Sequence, residues 1–379
     1  MWHKTNLIEP SAIQPSDPRC RVIGAFNPGA VRIDETVHLL VRVAEQPIPT
    51  AADHVDLPRF DLDGRLQIDR YHRDELQLSD ARVAVVRESG LARLTSVSHL
   101  RHFTVPVASI ADPAAYRETG HRFWPAGVME TQGVEDARLT PIDGRCYFTY
   151  VAVSEHGVCT ALASTSDFVD FERHGVIFPC ENKDVLLFPE RVGNRYFALH
   201  RPVPATPLCT PEMWIAQSDN LLDWGSHRVL VDNTHARAGE AHDTRGEARS
   251  EPRSEPRSEA QEWSGGRVGG GTPPIETEAG WASLYQANQR SQTPGPIGRY
   301  CGGGLLFDRE NPIKIVAMSS QPILVPDQPF ETAGFVPQVV FPTAWIDVGE
   351  QACIFYGAAD TSTAVAITNR QPLIQSFHR

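Results

Sequence analysis

Short apolar runs separated by turn residues dominate the chain. Residues 36–43 (TVHLLVRV) and 146–153 (CYFTYVAV) are typical, because β-branched and aromatic residues recur there over strand-length stretches. The second run follows Asp143-Gly144, a dipeptide that favours a hairpin turn between two strands. No segment of ten or more residues shows the period of an amphipathic helix. The pattern therefore predicts an all-β protein.

Several of these apolar runs end in polar side chains. In a β-propeller, the same end of each innermost strand faces one central funnel, so roughly five such endings predict roughly five blades. The spacings are irregular, and ordinary strand ends that exit to solvent explain the pattern equally well. The runs close on Arg42, Tyr150, His200-Arg201, Gln286 and Asp360.

Three segments depart from this strand pattern. Residues 1–20 resemble an extended, proline-punctuated arm, and residues 46–80 are polar and mixed, with one hairpin cue at Asp63-Gly64. Residues 236–262 repeat Arg-Ser-Glu-Pro and contain almost nothing that can pack, which predicts a disordered loop insertion. We therefore predict a single domain over residues 1–379.

Composition narrows the possible partners. The net charge of −12 argues against nucleic acid, so any anion site must be a local cluster of cations. No apolar run approaches the roughly 18 residues of a membrane span, and the N-terminus lacks a signal core. The seven scattered cysteines include no C-x-x-C pair, which is typical of free thiols. We expect a cytoplasmic protein with no membrane partner, no metal and no organic cofactor.

The stretch 133–140 (GVEDARLT) carries the clearest candidate chemistry. It enters the strand before Asp143-Gly144, where a rigid hairpin can hold Glu135, Asp136 and Arg138. If the strand is already regular here, Asp136 and Arg138 share a face and Glu135 points away. An acid–base pair and a structural salt bridge both fit this motif.

Seven motifs in order resemble glycoside hydrolase family 130, the β-mannoside phosphorylases and their hydrolase relatives. The resemblance spans roughly residues 20–368 and implies a five-bladed β-propeller with its active site in the central funnel. The motifs are FNPGA at Phe26, LLVRVAE at Leu39, VEDARLT at Val134, NKDVLLFPE at Asn182, YFALHRP at Tyr196, GGGTPPIETEAGW at Gly269, and FVPQVVFP followed by YGAADT near the C-terminus.

The resemblance implies a reaction. Asp136 matches the catalytic acid of the family's E-D-x-R motif, which is thought to pass its proton through a sugar hydroxyl. A phosphorylase needs no catalytic base, because inorganic phosphate is already an anionic nucleophile, whereas an inverting hydrolase needs one. The implied activity is inverting cleavage of a β-mannoside oligosaccharide by phosphate, as co-substrate, to give mannose 1-phosphate. Oligomers are common in the family, so a homo-oligomer is a further expectation.

The resemblance also implies binding roles. Arg201 and Lys183 match phosphate-side cations, and Arg267 aligns with a family lysine in the same region, while Arg138 either steers phosphate or orients Asp136. The residues matched to positions that bind the mannosyl unit are Asn27, Arg42 and Asp360. Two neighbouring candidates for substrate binding are Glu135 and His200.

One departure from the family pattern leaves open whether the nucleophile is phosphate or water. Family phosphorylases usually read L-Y-H-G where this chain has Leu284-Tyr285-Gln286-Ala287, so Gln286 offers phosphate a hydrogen bond without charge. Weaker phosphate binding is one consequence, and replacement of phosphate by water is another. A hydrolase would need a base, for which Glu135, Glu190 and Glu276 are candidates. A third alternative is a non-catalytic sugar-binding propeller, against which the intact Asp136 argues.

Overall fold

The computed structural model describes residues 2–206, 208–231, 263–289 and 297–378, and over these residues the protein is all-β. The predicted insertion at 236–262 lies outside the described residues. Within the described residues, the two α-helices are short: α1 (Pro329–Thr332) and α2 (Arg370–Gln375). The strands are β1 (His3–Ile8), β2 (Cys20–Ile33), β3 (Thr36–Pro47), β4 (His54–Phe60), β5 (Leu66–His72), β6 (Leu76–Asp80), β7 (Val83–Val86), β8 (Ala92–Leu94), β9 (Val97–Pro106), β10 (Arg117–Phe123), β11 (Gly133–Ile142), β12 (Arg145–Ser154), β13 (Gly157–Thr165), β14 (Glu172–Phe178), β15 (Asn182–Leu187), β16 (Tyr196–Pro202), β17 (Met213–Ser218), β18 (Trp224–Val231), β19 (Val268–Gly270), β20 (Ile275–Thr277), β21 (Gly280–Asn288), β22 (Tyr300–Phe307), β23 (Ile315–Met318), β24 (Val340–Val348), β25 (Gln351–Ala358) and β26 (Ser362–Asn369).

Antiparallel pairing arranges most of the strands described into five groups. The groups are β2-β3-β9-β10, β11-β12-β13-β14, β15-β16-β17-β18, β19-β21-β22-β23 with β20 on β21, and β24-β25-β26-β1. A single parallel bridge between Gly133 and Ser98 joins the first two groups into one eight-stranded sheet. Strand β2 contacts both β11 and β24, β11 contacts β15, and β15 contacts β19. The first strands of neighbouring groups therefore lie against one another, except that β24 contacts β21 and β22 of the fourth group.

The turn between β11 and β12 confirms the predicted hairpin. Ile142 pairs with Arg145 across Asp143 and Gly144, whose φ angles are +50° and +76°. Two consecutive positive φ angles are what a tight two-residue hairpin requires, and Asp-Gly tolerates them. This turn fixes the register of the strand that carries Asp136.

Apolar faces of neighbouring groups pack together to form the core. In one cluster, Val41 of β3 and Val105 of β9 lie with Phe355 of β25 and Val365 of β26, and all four side chains are fully buried. Strands covered on both faces are expected to carry near-continuous apolar runs, as β3 and β25 do.

The extended arm expected over residues 1–20 contains a strand that joins a sheet. Strand β1 pairs with β26, with Thr5 opposite Val365, and so completes the sheet that also contains β24 and β25. The Nζ atom of Lys4 lies 2.8 Å from Asp327 and 3.0 Å from the fully buried Glu331. Glu331 also accepts a hydrogen bond of 2.7 Å from the Tyr356 hydroxyl. An ion pair therefore fastens β1 to the segment that carries α1.

The polar segment 46–80 is more ordered than the sequence suggests. Strands β4 and β5 form the hairpin that the Asp63-Gly64 cue predicts, and β6, β7 and β8 form a separate three-stranded sheet. Leu57, Leu76 and Ala84 give these strands a small core of their own. We call residues 54–94 the β4–β8 insertion, because they separate β3 from its partner β9.

All seven cysteines are free, as predicted, and five of them are buried. Cys180 and Cys209 are exposed. Within the part of the chain that the structure describes, no helix has both the length and the apolar character needed to cross a membrane.

We expect Lys4→Ala to lower the free energy of unfolding by about 3–5 kcal/mol, because it leaves the buried Glu331 carboxylate without its cation. Urea unfolding measures the change. Lys314→Ala is the matched control, since its Nζ is 3.9 Å from Asp308 and its side chain is 62% exposed. We expect this control to change stability by about 0.5 kcal/mol or less. Equal losses in the two variants would contradict the proposed fastening of β1.

Candidate active site

Four polar residues share an unusual backbone conformation. The φ angles of Asn27, Asp136, Asp184 and Asp360 are +49°, +51°, +55° and +47°. Asn and Asp adopt this left-handed region more readily than other residues with a side chain. The first three lie at register shifts in β2, β11 and β15, and Asp360 lies in the turn between β25 and β26. Such irregularities turn a side chain away from the regular alternation of a strand.

The irregularity in β11 overturns one prediction, that Glu135 points away from Asp136. The register shifts between Glu135 and Arg138, so the alternation on which that prediction depended is interrupted. Arg42 lies between the two carboxylates, with Nη2 2.7 Å from Glu135 Oε1 and Nη1 3.0 Å from Asp136 Oδ1. Both acidic groups therefore face the same guanidinium.

Asn27, Arg42, Glu135, Asp136 and Asp360 form what we call the carboxylate cluster. Asn27 Nδ2 donates a 3.0 Å hydrogen bond to Asp136 Oδ1, and Arg42 stacks over a neighbouring aromatic ring at 4.7 Å. Burial acts to raise the pKa of Asp136, but Arg42, Arg138 and Asn27 outweigh it and hold the pKa below its usual value. Without substrate, Asp136 is therefore a stabilised carboxylate.

Asp360 behaves in the opposite way. Burial, with smaller contributions from the charges of Asp136 and Glu135, raises the pKa of Asp360 to about 6, although Arg42 and Arg82 act to lower it. When the environment shifts the pKa values of two carboxyl groups in opposite directions, one group can stay protonated at a pH at which the other is ionised. The carboxylate cluster thus contains one strongly ionised group and one that titrates near neutrality.

Arg138, Asp184, Arg201 and Gln286 form the arginine cluster beside it. Arg138 donates to main-chain oxygens, with Nε 2.9 Å from the Gly271 oxygen and Nη1 3.0 Å from that of Asp136. It therefore bonds the backbone of the acid rather than its carboxylate. Asp184 Oδ2 lies 3.1 Å from Arg201 Nε and accepts a 2.5 Å hydrogen bond from Gln286 Nε2.

Three nitrogen atoms of the arginine cluster are buried without a hydrogen-bond partner. They are Arg138 Nη2 and the Nε and Nη1 atoms of Arg201. Arg201 Nε is within ion-pair distance of Asp184, but its N–H does not point at the carboxylate. Buried polar groups are normally satisfied, and guanidinium donors bind carboxylate and phosphate oxygens most strongly. The arrangement is chemically suited to an anion.

Electrostatics connect the two clusters. Burial acts to lower the pKa of Arg201, but Asp184, Tyr300 and Asp136 together outweigh it and raise the pKa. For Arg138 burial prevails and lowers the pKa, although Asp136 and Asp184 act against it. Asp136 therefore acts on both arginines, and the acid and the anion site adjoin.

Gly269 makes the contact between Asp184 and Gln286 possible. A Cβ atom at this position would lie 2.2 Å from Asp184 Oδ2 and 2.5 Å from Gln286 Nε2. One amide hydrogen of Gln286 is thus used to hold Asp184, which the sequence does not reveal. The glycine run from Gly269 has a steric function at the site.

The structure does not bring His200 to either cluster. Its ring lies on the face of β16 opposite Arg201, with Nδ1 3.1 Å from Asn182 Nδ2 and Nε2 3.1 Å from His227 Nδ1. Burial lowers the pKa of His200 to about 3, so the ring is neutral. These contacts give His200 a packing role beneath the site and do not support substrate binding.

Two predicted cations lie at the periphery. Lys183 precedes Asp184 and pairs with Arg201 across β15 and β16, but makes no ion pair with any described residue. Arg267 is exposed just before β19, and its main-chain nitrogen bonds Asn288 Oδ1 at 2.6 Å.

Two of the three predicted base candidates lie away from the clusters. Glu276 pairs with Arg309 at the surface, with 3.1 Å between Oε1 and Nη1, and Glu190 is exposed. Glu135 is inside the site but is neutralised by Arg42. Asp184 is the site residue that the sequence analysis missed. Its signal was an acidic residue interrupting the start of an apolar run, as Asp136 does.

Comparisons with known proteins agree with this geometry. The family model described as Glyco_hydro_130, β-1,4-mannooligosaccharide phosphorylase, matches residues 91–379. A β-1,2-mannobiose phosphorylase of Listeria innocua is 34% identical over 376 residues, which are 96% of this chain and 94% of that protein. A 1,2-β-oligomannan phosphorylase of Thermoanaerobacter sp. is 32% identical over 63% of this chain and 69% of its own length.

Solved structures give the same picture. The Listeria innocua enzyme in complex with β-1,2-mannobiose superposes with a TM-score of 0.83 at 32% identity, covering 98% of this chain and 96% of that one. A structure from work on hydrolases that target β-1,2-mannosidic linkages in Candida mannan has a TM-score of 0.65 at 18% identity, covering 97% and 91%. The second likeness concerns the fold alone.

We expect Asp360→Asn to change how stability depends on pH. The pKa of about 6 in the folded protein exceeds the ordinary 3.8, so the native state favours the protonated group and loses stability as pH rises from about 4 through 6. Asparagine cannot ionise. The Tm of the variant minus that of the wild type should therefore increase between pH 4 and pH 7, as measured by thermal unfolding at constant ionic strength.

Asp34→Asn, in the exposed turn between β2 and β3, is the control for this series. We expect the Tm difference between this control and the wild type to stay constant across the pH range. An equally constant difference for Asp360→Asn would show that burial does not disfavour the Asp360 carboxylate.

Proposed function

The chain belongs to glycoside hydrolase family 130, and on that premise we propose that it is an inverting phosphorylase that cleaves β-1,2-mannosides with inorganic phosphate. The linkage is supported by the relative that aligns over 96% of the chain, which is a β-1,2-mannobiose phosphorylase. A β-1,4-mannooligosaccharide phosphorylase of Ruminococcus albus is 27% identical over 62% of the chain, which makes the β-1,4 linkage the weaker proposal.

One observation carries the choice of phosphate: the three buried guanidinium nitrogens of Arg138 and Arg201 that lack a partner, beside Asp136. Planar guanidinium groups match the oxygens of phosphate, and an unpaired buried donor is costly until an acceptor arrives. A neutral water molecule would satisfy fewer of these donors and offset none of the positive charge.

In the proposed reaction, a phosphate oxygen bonds to the anomeric carbon from the face opposite the glycosidic oxygen, and the bond to that oxygen breaks. Inversion of a β-mannoside gives α-mannose 1-phosphate. The departing oxygen receives the proton that Asp136 supplies through a mannosyl hydroxyl, and overall the hydrogen of HPO₄²⁻ ends on the departing sugar. Arg42, Asn27 and Asp360 are proposed to hold the mannosyl unit.

The lowered pKa of Asp136 fits this proposal when phosphate is considered. An acid must be protonated to act, and the positive charge of Arg138 opposes protonation. A phosphate dianion on the arginine cluster offsets that charge and so raises the pKa of Asp136. Phosphate binding is thus proposed to prepare the acid as well as to supply the nucleophile.

Hydrolysis is the alternative reaction in this family. It requires a base opposite the acid. Glu190 and Glu276 lie outside the clusters, and Glu135 pairs with Arg42, so none of the three candidates is placed to activate water. The named relatives are phosphorylases. A purely sugar-binding protein would have no use for unpaired buried cations beside a carboxylate.

We also propose that the five strand groups are the blades of a β-propeller within one domain. The proposal is supported by contacts between neighbouring groups all the way round, through β2–β11, β11–β15, β15–β19, β21–β24 and β24–β2, and by the residues of β2, β11 and β15 that meet at the clusters. The roles of Lys183, Arg267 and the second amide hydrogen of Gln286 at the phosphate are proposals in the same sense, as are a cytoplasmic location and a homo-oligomer.

We expect the purified protein to convert β-1,2-mannobiose and phosphate into mannose and α-mannose 1-phosphate, with no turnover when phosphate is omitted. Asp136→Asn should lower kcat by about 10²–10⁴-fold, because the variant retains shape but loses the proton donor. Phosphorus NMR or an enzyme-coupled assay detects the product. Release of free mannose at the same rate with and without phosphate would instead identify a hydrolase.

Arg201→Lys should raise the KM for phosphate about tenfold or more, since a point charge replaces a two-pronged donor. Arg195→Lys, at the other end of the same hairpin, is the control, because its guanidinium is 50% exposed and pairs with Asp219 at the surface. A similar KM for phosphate in Arg201→Lys and the control would remove Arg201 from the anion site.

A further inference from the structure

Arg82 is a charged residue of the β4–β8 insertion that the proposed reaction does not yet use. It lies just before β7 and is held by Asp80, with Nη2 2.6 Å from Oδ2 and Nε 2.9 Å from Oδ1. The two side chains are 37% and 33% exposed. Both residues precede residue 91, where the family match begins.

Hydrogen bonds fasten this part of the insertion to the strands that build the site. The main-chain nitrogen of Thr95 donates to the Arg82 oxygen at 3.0 Å, and its hydroxyl donates to the Ala81 oxygen at 2.7 Å. Three residues further along the chain, at most about 10 Å away, Ser98 accepts a 3.0 Å hydrogen bond from Arg42. Arg82 is therefore fixed close to the carboxylate cluster.

A second connection leads to the strand of the acid. The Leu94 nitrogen donates to Gln132 Oε1 at 2.9 Å, and Gln132 directly precedes β11. Charge interactions agree with the placement, because Arg82 acts to lower the pKa of Asp360, and Asp360 and Tyr300 act to raise that of Arg82. The charges of Arg82 and Asp360 therefore act on each other.

A cavity of about 420 Å³ lies beside the Asp80 end of this ion pair. Asp80, Ala81 and Thr95 line it, together with Gln46 at the end of β3 and Pro49 just after it. This volume is in the usual range of small-molecule pockets, about 300–1,000 Å³. The Asp80–Arg82 pair thus borders a space that can hold part of a ligand.

We propose that Arg82, positioned by Asp80, binds the acceptor sugar, the unit that leaves on phosphorolysis and attacks in the reverse reaction. A guanidinium and a carboxylate side by side suit a sugar hydroxyl, which accepts from the first and donates to the second. A phosphate would be repelled by Asp80, which already neutralises Arg82. The inference rests on the proposed function, because it assigns a subsite of the same reaction.

The test uses the synthetic direction, which separates the two substrates. With the full-length protein, the KM for acceptor mannose and the KM for α-mannose 1-phosphate are measured independently for wild type, Arg82→Ala and Arg82→Lys. We expect Arg82→Ala to raise the KM for mannose about tenfold and to leave the KM for α-mannose 1-phosphate within about twofold. Arg82→Lys should restore part of the loss.

Arg65→Ala is the matched control on the same insertion, because Arg65 pairs with Asp63 in an exposed turn and its side chain is 74% exposed. An unchanged KM for mannose in Arg82→Ala overturns the inference. So does a rise confined to the KM for α-mannose 1-phosphate, which would place Arg82 on the donor or phosphate side. Asp80→Asn, which keeps the shape of the pair, should also weaken mannose binding if Arg82→Ala proves unstable.

Failure of the proposed function has a different signature. If the wild type forms no mannose 1-phosphate, calorimetry with β-1,2-mannobiose still reports on Arg82, since binding needs no turnover. Weaker binding by Arg82→Ala than by Arg65→Ala supports the contact, and equal dissociation constants overturn it.

Discussion

The site depends on four polar residues held in the left-handed region of the backbone. For most residues this conformation costs about 1–2 kcal/mol, and less for Asn and Asp, whose short side chains bond locally. Asn27, Asp136 and Asp184 each interrupt a strand, and Asp360 lies in the turn after one. The interruption is what lets side chains from separate strand groups meet, as the 3.0 Å contact between Asn27 and Asp136 demonstrates.

Charge is arranged so that a chain with a net charge of −12 can attract an anion. Arg42 is paired with both Glu135 and Asp136. Arg138 is held by main-chain oxygens, and Arg201 meets one carboxylate at an unfavourable angle, so both keep donors unused. The two clusters therefore differ in whether their guanidinium groups are satisfied, and this difference is the basis for proposing that the sugar and the phosphate bind on different sides of the site.

Much of the site could be predicted from local sequence. The Asp143-Gly144 hairpin follows from turn chemistry, and ordered motifs identified Asp136, Arg42 and Arg201. The orientation of Glu135 could not be predicted, because a single-residue irregularity reverses alternation and leaves no apolar signature.

Whether His200 or Arg201 faces the clusters could be decided only from the structure, for a related reason. The two are adjacent on one strand and face opposite ways, and both faces of that strand are buried. The β4–β8 insertion was predicted only at its Asp63-Gly64 hairpin, because its sheets pack on a small core and leave most side chains at least partly exposed, so they lack long apolar runs.

The carboxylate cluster joins side chains that are synthesised far apart in time. Gly357, whose missing Cβ makes room for the Asn27 amide, and Asp360 leave the ribosome long after Asn27. Earlier sheets can form while synthesis continues, since chains fold progressively from the N-terminus. The carboxylate cluster, however, cannot assemble before Asp360 has emerged. A nascent chain that stops short of this residue therefore lacks a complete cluster.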